Sequence, residues 1–149
     1  MKVILLVGLP GSGKSELAKS YKSQGFEIIN QDTLGSRSAC LSAMREALNN
    51  NKDVLIDRTN INKKQRSYFI AIAKEFGIID IECINLTVDT MICVSRIHSR
   101  ENHPTIKSDM TFDKKMEIVH RFARDYEKPE LGEGFNVISF IDNNRVNNS

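Results

Sequence analysis

The chain has 149 residues, of which 40% are hydrophobic, and this length suits one folded domain but not two of ordinary size. Its 21 basic and 19 acidic residues give a formal net charge of +2, which neither requires nor excludes a polyanionic partner. The first apolar run, residues 3–7, is too short for a signal-peptide core or a membrane span, so we expect an intracellular protein, cytoplasmic or nuclear. The three cysteines lack metal-binding spacing, which predicts buried structural thiols.

Short β-rich runs alternate with longer helical patterns along the chain. In chain order the predictions are a strand at KVILLV, a helix at GKSELAKSYKSQ, a strand at FEIIN, a helix over 34–50, a strand at DVLID, a helix over 63–76, a strand at IIDIECINLTV, helices at DTMICVSRIHSRENH and MTFDKKMEIVHRFARDY, and a last strand at FNVISFI. This order predicts an α/β domain with a mainly parallel sheet and helices on both faces. We place this domain at residues 1–141 and expect the polar residues 142–149 to form a disordered tail.

A glycine-rich segment, GLPGSGKS, follows the first predicted strand and opens the first predicted helix. It fits the pattern G-x-x-x-x-G-K-[ST], in which glycines let backbone N–H groups surround phosphate oxygens at a helix N-terminus. The residues assigned to nucleotide binding are Gly8, Leu9, Pro10, Gly11, Ser12, Gly13, Lys14 and Ser15. Lys14 is expected to contact the terminal phosphates of ATP and Ser15 to bind Mg²⁺ through its hydroxyl.

A phosphate loop of this kind occurs in GTPases, ATPase motors and small kinases, so other segments have to distinguish the reaction. The chain has no N-K-x-D motif for guanine, and its third strand ends DVLIDRTN with one carboxylate where motors usually carry an acidic pair. A kinase is favoured. Such an enzyme needs a base near the acceptor hydroxyl, a carboxylate near the metal, and cations for the transferred group.

Two carboxylates are predicted at the sheet edge that also carries the phosphate loop. Asp32 follows the second strand, where it serves either as the general base for the acceptor hydroxyl or as the N-cap of the next helix. Asp57 ends the third strand and is expected to bind Mg²⁺ through water or to orient an arginine, with helix capping as the competing interpretation.

Two arginines, Arg96 and Arg100, are four residues apart on one predicted helix and therefore share a face. This spacing suits a lid that closes over phosphates. A solvated basic face is the alternative that the spacing leaves open.

Several segments together resemble a known family: GLPGSGKS, NQDTLGS, IDRTN with Arg66 downstream, SRIHSRE, SDM and EKPELGEGF. Over residues 2–141 their order and spacing are similar to the kinase domain of polynucleotide 5′-kinases, which phosphorylate 5′-hydroxyl ends of DNA or RNA. The resemblance implies a P-loop NTPase fold, ATP and Mg²⁺ as cofactors, nucleic acid 5′ ends as partners, and Asp32 as general base. It also implies that Lys14 and Ser15 bind the ATP phosphates and the metal, and that Arg96 and Arg100 form the lid.

The acceptor side departs from the family pattern, because Gln31 and Gly35 stand where relatives carry arginine. Arg37 and Arg66 are the candidates to replace that charge, although Arg37 also suits a surface position. The residues assigned to substrate binding are Asp32, Arg37, Asp57, Thr59, Asn60 and Arg66. Since no D-x-D-x-T phosphatase motif is present, we expect a free-standing kinase.

Two other functions are compatible with these residues. The same kinase chemistry serves an acceptor such as a hydroxylated base within DNA or a small-molecule hydroxyl, if the cleft is reshaped. The other alternative is not an enzyme: a nucleotide-binding module that has lost catalysis and acts through a partner.

Overall fold

The structure is a computed structural model that describes residues 1–99 and 110–145. In chain order its elements are β1 (Lys2–Val7), α1 (Lys14–Lys22), β2 (Glu27–Asn30), α2 (Gln31–Leu34), α3 (Arg37–Asn49), β3 (Val54–Asp57), α4 (Lys63–Glu75), β4 (Asp80–Thr87), α5 (Thr90–Ser99), α6 (Phe112–Asp125), a 3₁₀ turn at Leu131–Glu133 and β5 (Val137–Asp142). None of the helices in these two ranges is both long and apolar enough to cross a bilayer.

The five strands form one parallel sheet in the order β2-β3-β1-β4-β5. The central strand β1 pairs with β3 on one side, where Leu5 is opposite Ile56, and with β4 on the other, where Leu5 is opposite Cys83. Parallel neighbours that are not consecutive require helical crossovers, which places helices over both faces. The carboxyl ends of β1, β2 and β3 consequently meet at one edge of the sheet.

Alternate residues of β1 pack into two separate cores, as the two-residue period of a strand requires. Val3, Leu5 and Val7 face the larger cluster, which includes Phe69 of α4. Ile4 and Leu6 face the opposite cluster with residues of α1. A strand that is buried on both faces has a continuous apolar sequence, which accounts for the run of apolar residues after Lys2 in KVILLV.

A third apolar cluster lies between α5 and α6 and contains Cys93, Val94, Ile97 and Val119. Leu9 of the glycine-rich loop packs against this cluster, so the cluster between α5 and α6 contacts the loop. All three cysteines are buried, in agreement with the sequence prediction.

The predicted helix over 34–50 is divided by a glycine. Gly35 adopts a left-handed conformation, with φ 88°, and ends the short α2, after which the Ser36 side chain caps α3 by accepting from the Ala39 N–H at 3.1 Å. Leu34 therefore belongs to a separate short helix, α2, which carries Asp32 at the sheet edge.

The predicted boundary after residue 141 is too early. β5 continues through Asp142, and Asn143 donates its backbone N–H to the Thr87 carbonyl at 2.9 Å and its side-chain amide to the Ser12 carbonyl at 2.8 Å. Local composition indicates a disordered tail, but these contacts join Asn143 to β4 and to the glycine-rich loop. The rest of the predicted tail, 146–149, lies outside the described residues.

Candidate active site

A cleft of about 430 Å³ opens at the carboxyl edge of the sheet. The glycine-rich loop, the turn after β2 and the segment after β3 line it on three sides. The lining residues are Pro10, Gly11, Gly13, Lys14, Ser15, Asn30, Gln31, Asp32, Asp57, Arg58, Thr59, Asn60, Ile61, Asn62, Gln65, Ile118, Phe122 and Asp125. This set contains most of the residues that the sequence assigned to the donor and acceptor sides.

Glycine is required in the loop itself. Gly11 and Gly13 have φ values of +83° and +96°, which disfavour any side chain. A Cβ on Gly11 would lie 2.6 Å from the Cys93 carbonyl oxygen, and one on Gly13 would lie 2.5 Å from the Asn143 side-chain nitrogen. The loop is thus held in the turn that leads directly into the N-terminus of α1, a geometry that suits phosphate oxygens.

Lys14 is the first residue of α1, and its side chain folds back over the loop. The ammonium donates to the carbonyls of Gly8 at 3.0 Å and Leu9 at 2.8 Å, which holds the charge at the mouth of the loop. An ammonium in this position can attract the anionic end of a nucleoside triphosphate.

Ser15 and Asp57 form the polar pair that could hold a divalent cation. The Ser15 hydroxyl lies 3.4 Å from a carboxylate oxygen of Asp57, and the same oxygen accepts from the Asn30 amide at 2.8 Å. Burial raises the pKa of Asp57, whereas the charge of Lys14 and the hydrogen bonds from Asn30 and Ser15 lower it. One hydroxyl and one carboxylate fit Mg²⁺, which binds few protein ligands and keeps several waters and phosphate oxygens.

Neither Asp32 nor Asp57 caps a helix in the structure. Asn30 caps α2 by accepting from the Thr33 N–H at 3.0 Å, and Ser36 caps α3. Asn62, not Asp57, caps α4. Asp32 instead lies within α2, exposed to solvent at the cleft, where its charge raises the pKa of Asp57.

Arg66 was expected to supply positive charge to the acceptor, and the structure corrects this expectation. Its side chain is fully buried, with Nε and Nη2 donating to the two carboxylate oxygens of Glu133 at 2.8 and 3.1 Å and Nη1 donating to the Asn60 carbonyl at 2.9 Å. All three guanidinium nitrogens are bound within the fold, so Arg66 supports the wall of the cleft and does not face it.

Asn60 and Thr59 line the cleft but use their polar groups mainly to shape it. The Asn60 backbone has φ 45°, and its buried amide donates to the Leu6 carbonyl at 2.7 Å. The Thr59 carbonyl accepts from the Gly8 N–H at 3.1 Å, which ties the segment after β3 to the glycine-rich loop.

Of the two arginines predicted to form a lid, the structure describes Arg96 but not Arg100. Arg96 contacts the loop, with Nη1 donating to the Gly11 carbonyl at 3.3 Å and Nη2 to the carbonyls of Asn143 at 2.7 Å and Arg145 at 2.8 Å. Arg100 lies outside the described residues. Arg96 therefore joins the loop to the segment after β5, a contact that helical spacing could not predict.

Three residues at the site were missed by sequence reasoning. Asn30 caps α2 and also donates a hydrogen bond to Asp57. Its position at the end of a predicted strand was the sequence feature that could have indicated this role. Asn143 contacts the loop from 131 positions away, which no local pattern indicates. Arg58 lines the cleft directly after Asp57, whereas the predicted Arg37 does not line it and stacks on Tyr68, with 4.0 Å between its Cζ and the ring centroid.

Comparison with known proteins identifies the family of this chain. The sequence profile of the AAA domain family matches residues 3–129. The chain belongs to this AAA domain family. The AAA domain described here has the P-loop NTPase fold, with the nucleotide-binding loop between β1 and α1.

Relatives of this AAA domain include a much longer protein. The Bifunctional polynucleotide phosphatase/kinase of Schizosaccharomyces pombe is 48% identical over 143 residues, which cover 94% of this chain but only 33% of that protein. The chain therefore spans about a third of this relative's length.

Solved structures share the fold of this AAA domain. A gluconokinase from Sinorhizobium meliloti 1021 has a TM-score of 0.66 and 18% identity, with 97% of this chain and 84% of that chain covered. A chain of the Pnkp1/Rnl/Hen1 complex has a TM-score of 0.57 and 22% identity, with 74% and 44% covered. At these identities the similarity concerns the fold alone.

Proposed function

We propose that this domain transfers the γ-phosphoryl group of ATP, with Mg²⁺, to the 5′-hydroxyl end of DNA or RNA. One observation carries the proposal: Asp32 lies in the same cleft as Lys14, Ser15 and Asp57, and it caps no helix. A carboxylate with no capping role, facing a phosphate loop, is suited to accept the proton of an attacking hydroxyl.

The donor half of the reaction uses the glycine-rich loop. Its backbone N–H groups and Lys14 would bind the phosphates, and Ser15 and Asp57 would hold Mg²⁺, Asp57 through water. When bound, Mg²⁺ would supply positive charge against the phosphates. Among the described residues there is no group of three or more His, Cys, Asp or Glu side chains that could hold a metal.

The acceptor half uses Asp32, which is exposed, whereas Asp57 is buried. Asp57 is held by hydrogen bonds from Asn30 and Ser15, whereas Asp32 is placed on a short helix where an incoming hydroxyl can reach it. The two carboxylates thus have separate environments, which favours separate roles for metal and proton. A polynucleotide acceptor is supported by the S. pombe relative, which is named a polynucleotide phosphatase/kinase.

The test is phosphate transfer from γ-labelled ATP with Mg²⁺ to a 5′-hydroxyl oligonucleotide, in DNA and RNA versions. The same oligonucleotide carrying a 5′-phosphate is the control acceptor. Label on the 5′-hydroxyl strand alone is the expected result, whereas equal labelling of the 5′-phosphorylated strand would point to an internal acceptor and contradict the proposal.

Asp32→Asn tests the base directly, since the amide keeps the shape of the side chain but cannot take the proton. We expect kcat to fall by about a hundredfold to ten-thousandfold while the thermal midpoint stays unchanged. Asp80→Asn, the same change at the amino end of β4 and far from the cleft edge, is the matched control and should retain activity. An active Asp32→Asn protein would refute the assignment.

A further inference from the structure

Asn143, which directly follows β5, contacts the glycine-rich loop through its side chain. Its Nδ2 donates to the Ser12 carbonyl at 2.8 Å, and the same nitrogen would lie 2.5 Å from a Cβ built on Gly13. The amide therefore lies against the peptide group that joins Ser12 to Gly13. Gly13 lines the cleft, whereas Asn143 is not part of its lining in the ranges 1–99 and 110–145. Asn143 thus contacts the loop from outside the cleft.

Both backbone groups of Asn143 are held as well. Its N–H donates to the carbonyl of Thr87, the last residue of β4, at 2.9 Å, and its carbonyl accepts from Nη2 of Arg96 at 2.7 Å. The next residue, Asn144, accepts from the Asp89 N–H through its side-chain oxygen at 2.8 Å. The fold itself therefore sets the position of the Asn143 side chain, independently of any ligand.

The geometry of a trans peptide links this contact to an N–H group on the other side of the loop. A peptide unit is planar, and its C=O and N–H bonds point in opposite directions. A donor that fixes the Ser12 carbonyl outside the cleft consequently fixes the Gly13 N–H toward the cleft that Gly13 lines. Gly13 is the N-cap of α1, so this N–H belongs to the helix N-terminus that suits a phosphate oxygen.

Glycine permits this conformation but does not enforce it. Gly13 has φ +96°, and it carries no side chain that could pack against a neighbour. Because glycine adopts positive and negative φ about equally readily, the peptide before it needs an outside contact to keep one orientation. The Asn143 amide supplies that contact. Nη1 of Arg96, which donates to the Gly11 carbonyl at 3.3 Å, holds the neighbouring peptide group of the loop.

We propose that Asn143 is a positioning residue for the donor phosphates: its side-chain amide holds the Ser12 carbonyl and thereby orients the Gly13 N–H toward a phosphate oxygen. Contact between Asn143 and the nucleotide is not required. The inference rests on the donor half of the proposed function, since it concerns ATP bound at the loop. It gives the segment after β5, for which composition predicts disorder, a part in nucleotide binding.

Binding of two ligands distinguishes orientation of the loop from contact with the nucleoside. The ligands are ATP and inorganic tripolyphosphate, each titrated with Mg²⁺ into the full chain by isothermal titration calorimetry. Asn143→Ala removes the donor, so Kd should rise by about two- to tenfold for both ligands, the factor that one neutral hydrogen bond contributes. Asn143→Asp keeps the shape of the side chain but replaces the donor by a carboxylate oxygen, so we expect a larger loss, again for both ligands.

Asn144→Ala is the matched control. It removes a hydrogen bond of the same length from the same segment, but that bond does not involve the loop. Both Kd values should therefore stay at the wild-type level in this variant. In the phosphate-transfer assay, Asn143→Ala should raise KM for ATP and leave KM for the oligonucleotide unchanged, a split that a loss of stability alone would not produce.

Three results would overturn the assignment of Asn143. The first is wild-type Kd values in both Asn143→Ala and Asn143→Asp. The second is a loss confined to ATP, which would place Asn143 at the nucleoside, or a wild type that binds ATP but not tripolyphosphate. The third is an equal loss in Asn144→Ala, which would make the effect one of the whole segment.

The same measurements separate this role from the proposed function. If the wild type binds both ligands but transfers no phosphate to a 5′-hydroxyl end, the proposed function fails, and the Kd values still decide the role of Asn143. If the wild type binds neither ligand, the donor half of the proposed function fails and the role of Asn143 fails with it.

Discussion

Replacing Arg66 by methionine tests whether this arginine stabilises the fold or binds the substrate. Its side chain is fully buried, the Glu133 side chain is 10% exposed, and three guanidinium nitrogens make hydrogen bonds of 2.8 to 3.1 Å. Methionine leaves the Glu133 carboxylate without its partner and the Asn60 carbonyl without its donor. Removing one member of a buried pair destabilises a protein by about 3–5 kcal/mol.

This free energy converts into a large thermal shift. For a chain of this size, 1 kcal/mol corresponds to about 2–4 °C, so the thermal midpoint should fall by roughly 6–20 °C. The double variant Arg66→Met/Glu133→Leu removes both charges and should recover most of the loss, since apolar pairs often replace buried ion pairs without cost. Recovery should be incomplete, because Glu133 also accepts from the Glu130 N–H at 2.9 Å in the capping box of the 3₁₀ turn.

The assay pairs thermal unfolding with phosphate transfer measured well below the midpoint of the variant. If Arg66 acts only on the fold, KM for the oligonucleotide stays close to the wild-type value while the midpoint drops. A variant with native stability and a raised KM would refute this reasoning and return Arg66 to the acceptor side.

Two other predictions concern the cleft. Burial raises the pKa of Asp57 above its ordinary value of 3.8, so the stability that this group contributes is present below pH 3.8 and is lost as the pH rises through the folded pKa. In denaturant titrations, the free energy of unfolding of Asp57→Asn should therefore rise relative to that of the wild type between pH 4 and pH 7. If the difference between the two proteins stays constant or shrinks over this range, the pKa of Asp57 is not raised. Gly11→Ala should lower the thermal midpoint more than Gly25→Ala, because both residues have positive φ but only the added Cβ at Gly11 meets backbone, at 2.6 Å from the Cys93 carbonyl. Equal losses would show that the loop can move away from Cys93.

Local sequence signals determined the architecture of this domain. The strand KVILLV is apolar from Val3 to Val7 because both of its faces are buried there, and the glycines that follow are needed for the left-handed turns of the loop. Both features depend on residues within a few positions of one another, which is why they could be read directly. The division of the 34–50 helix at Gly35 was the main error of element assignment, and the glycine was its visible signal.

The roles of the polar side chains depended on tertiary structure. Asp32 had two local interpretations, and the capping of α2 and α3 by Asn30 and Ser36 removed one of them. Arg58 and Arg66 are eight positions apart and equally basic in the sequence. Arg66 nevertheless pairs with Glu133 across 67 positions, whereas Nε and Nη1 of Arg58 have no hydrogen-bond partner in the described part of the chain.

The sequence by itself determined that a phosphate loop joins a buried strand to a helix, because backbone conformation and apolar periodicity are local properties. Only the tertiary structure decided which polar groups face the cleft. Asn143 reaches the Ser12 carbonyl because β5 extends the sheet beside β4, whose end lies near the loop. Hydrogen-bond and charge partners far apart in the chain are chosen by packing, and packing decides whether an arginine is bound within the wall of a site, as Arg66 is, or lines the cleft, as Arg58 does.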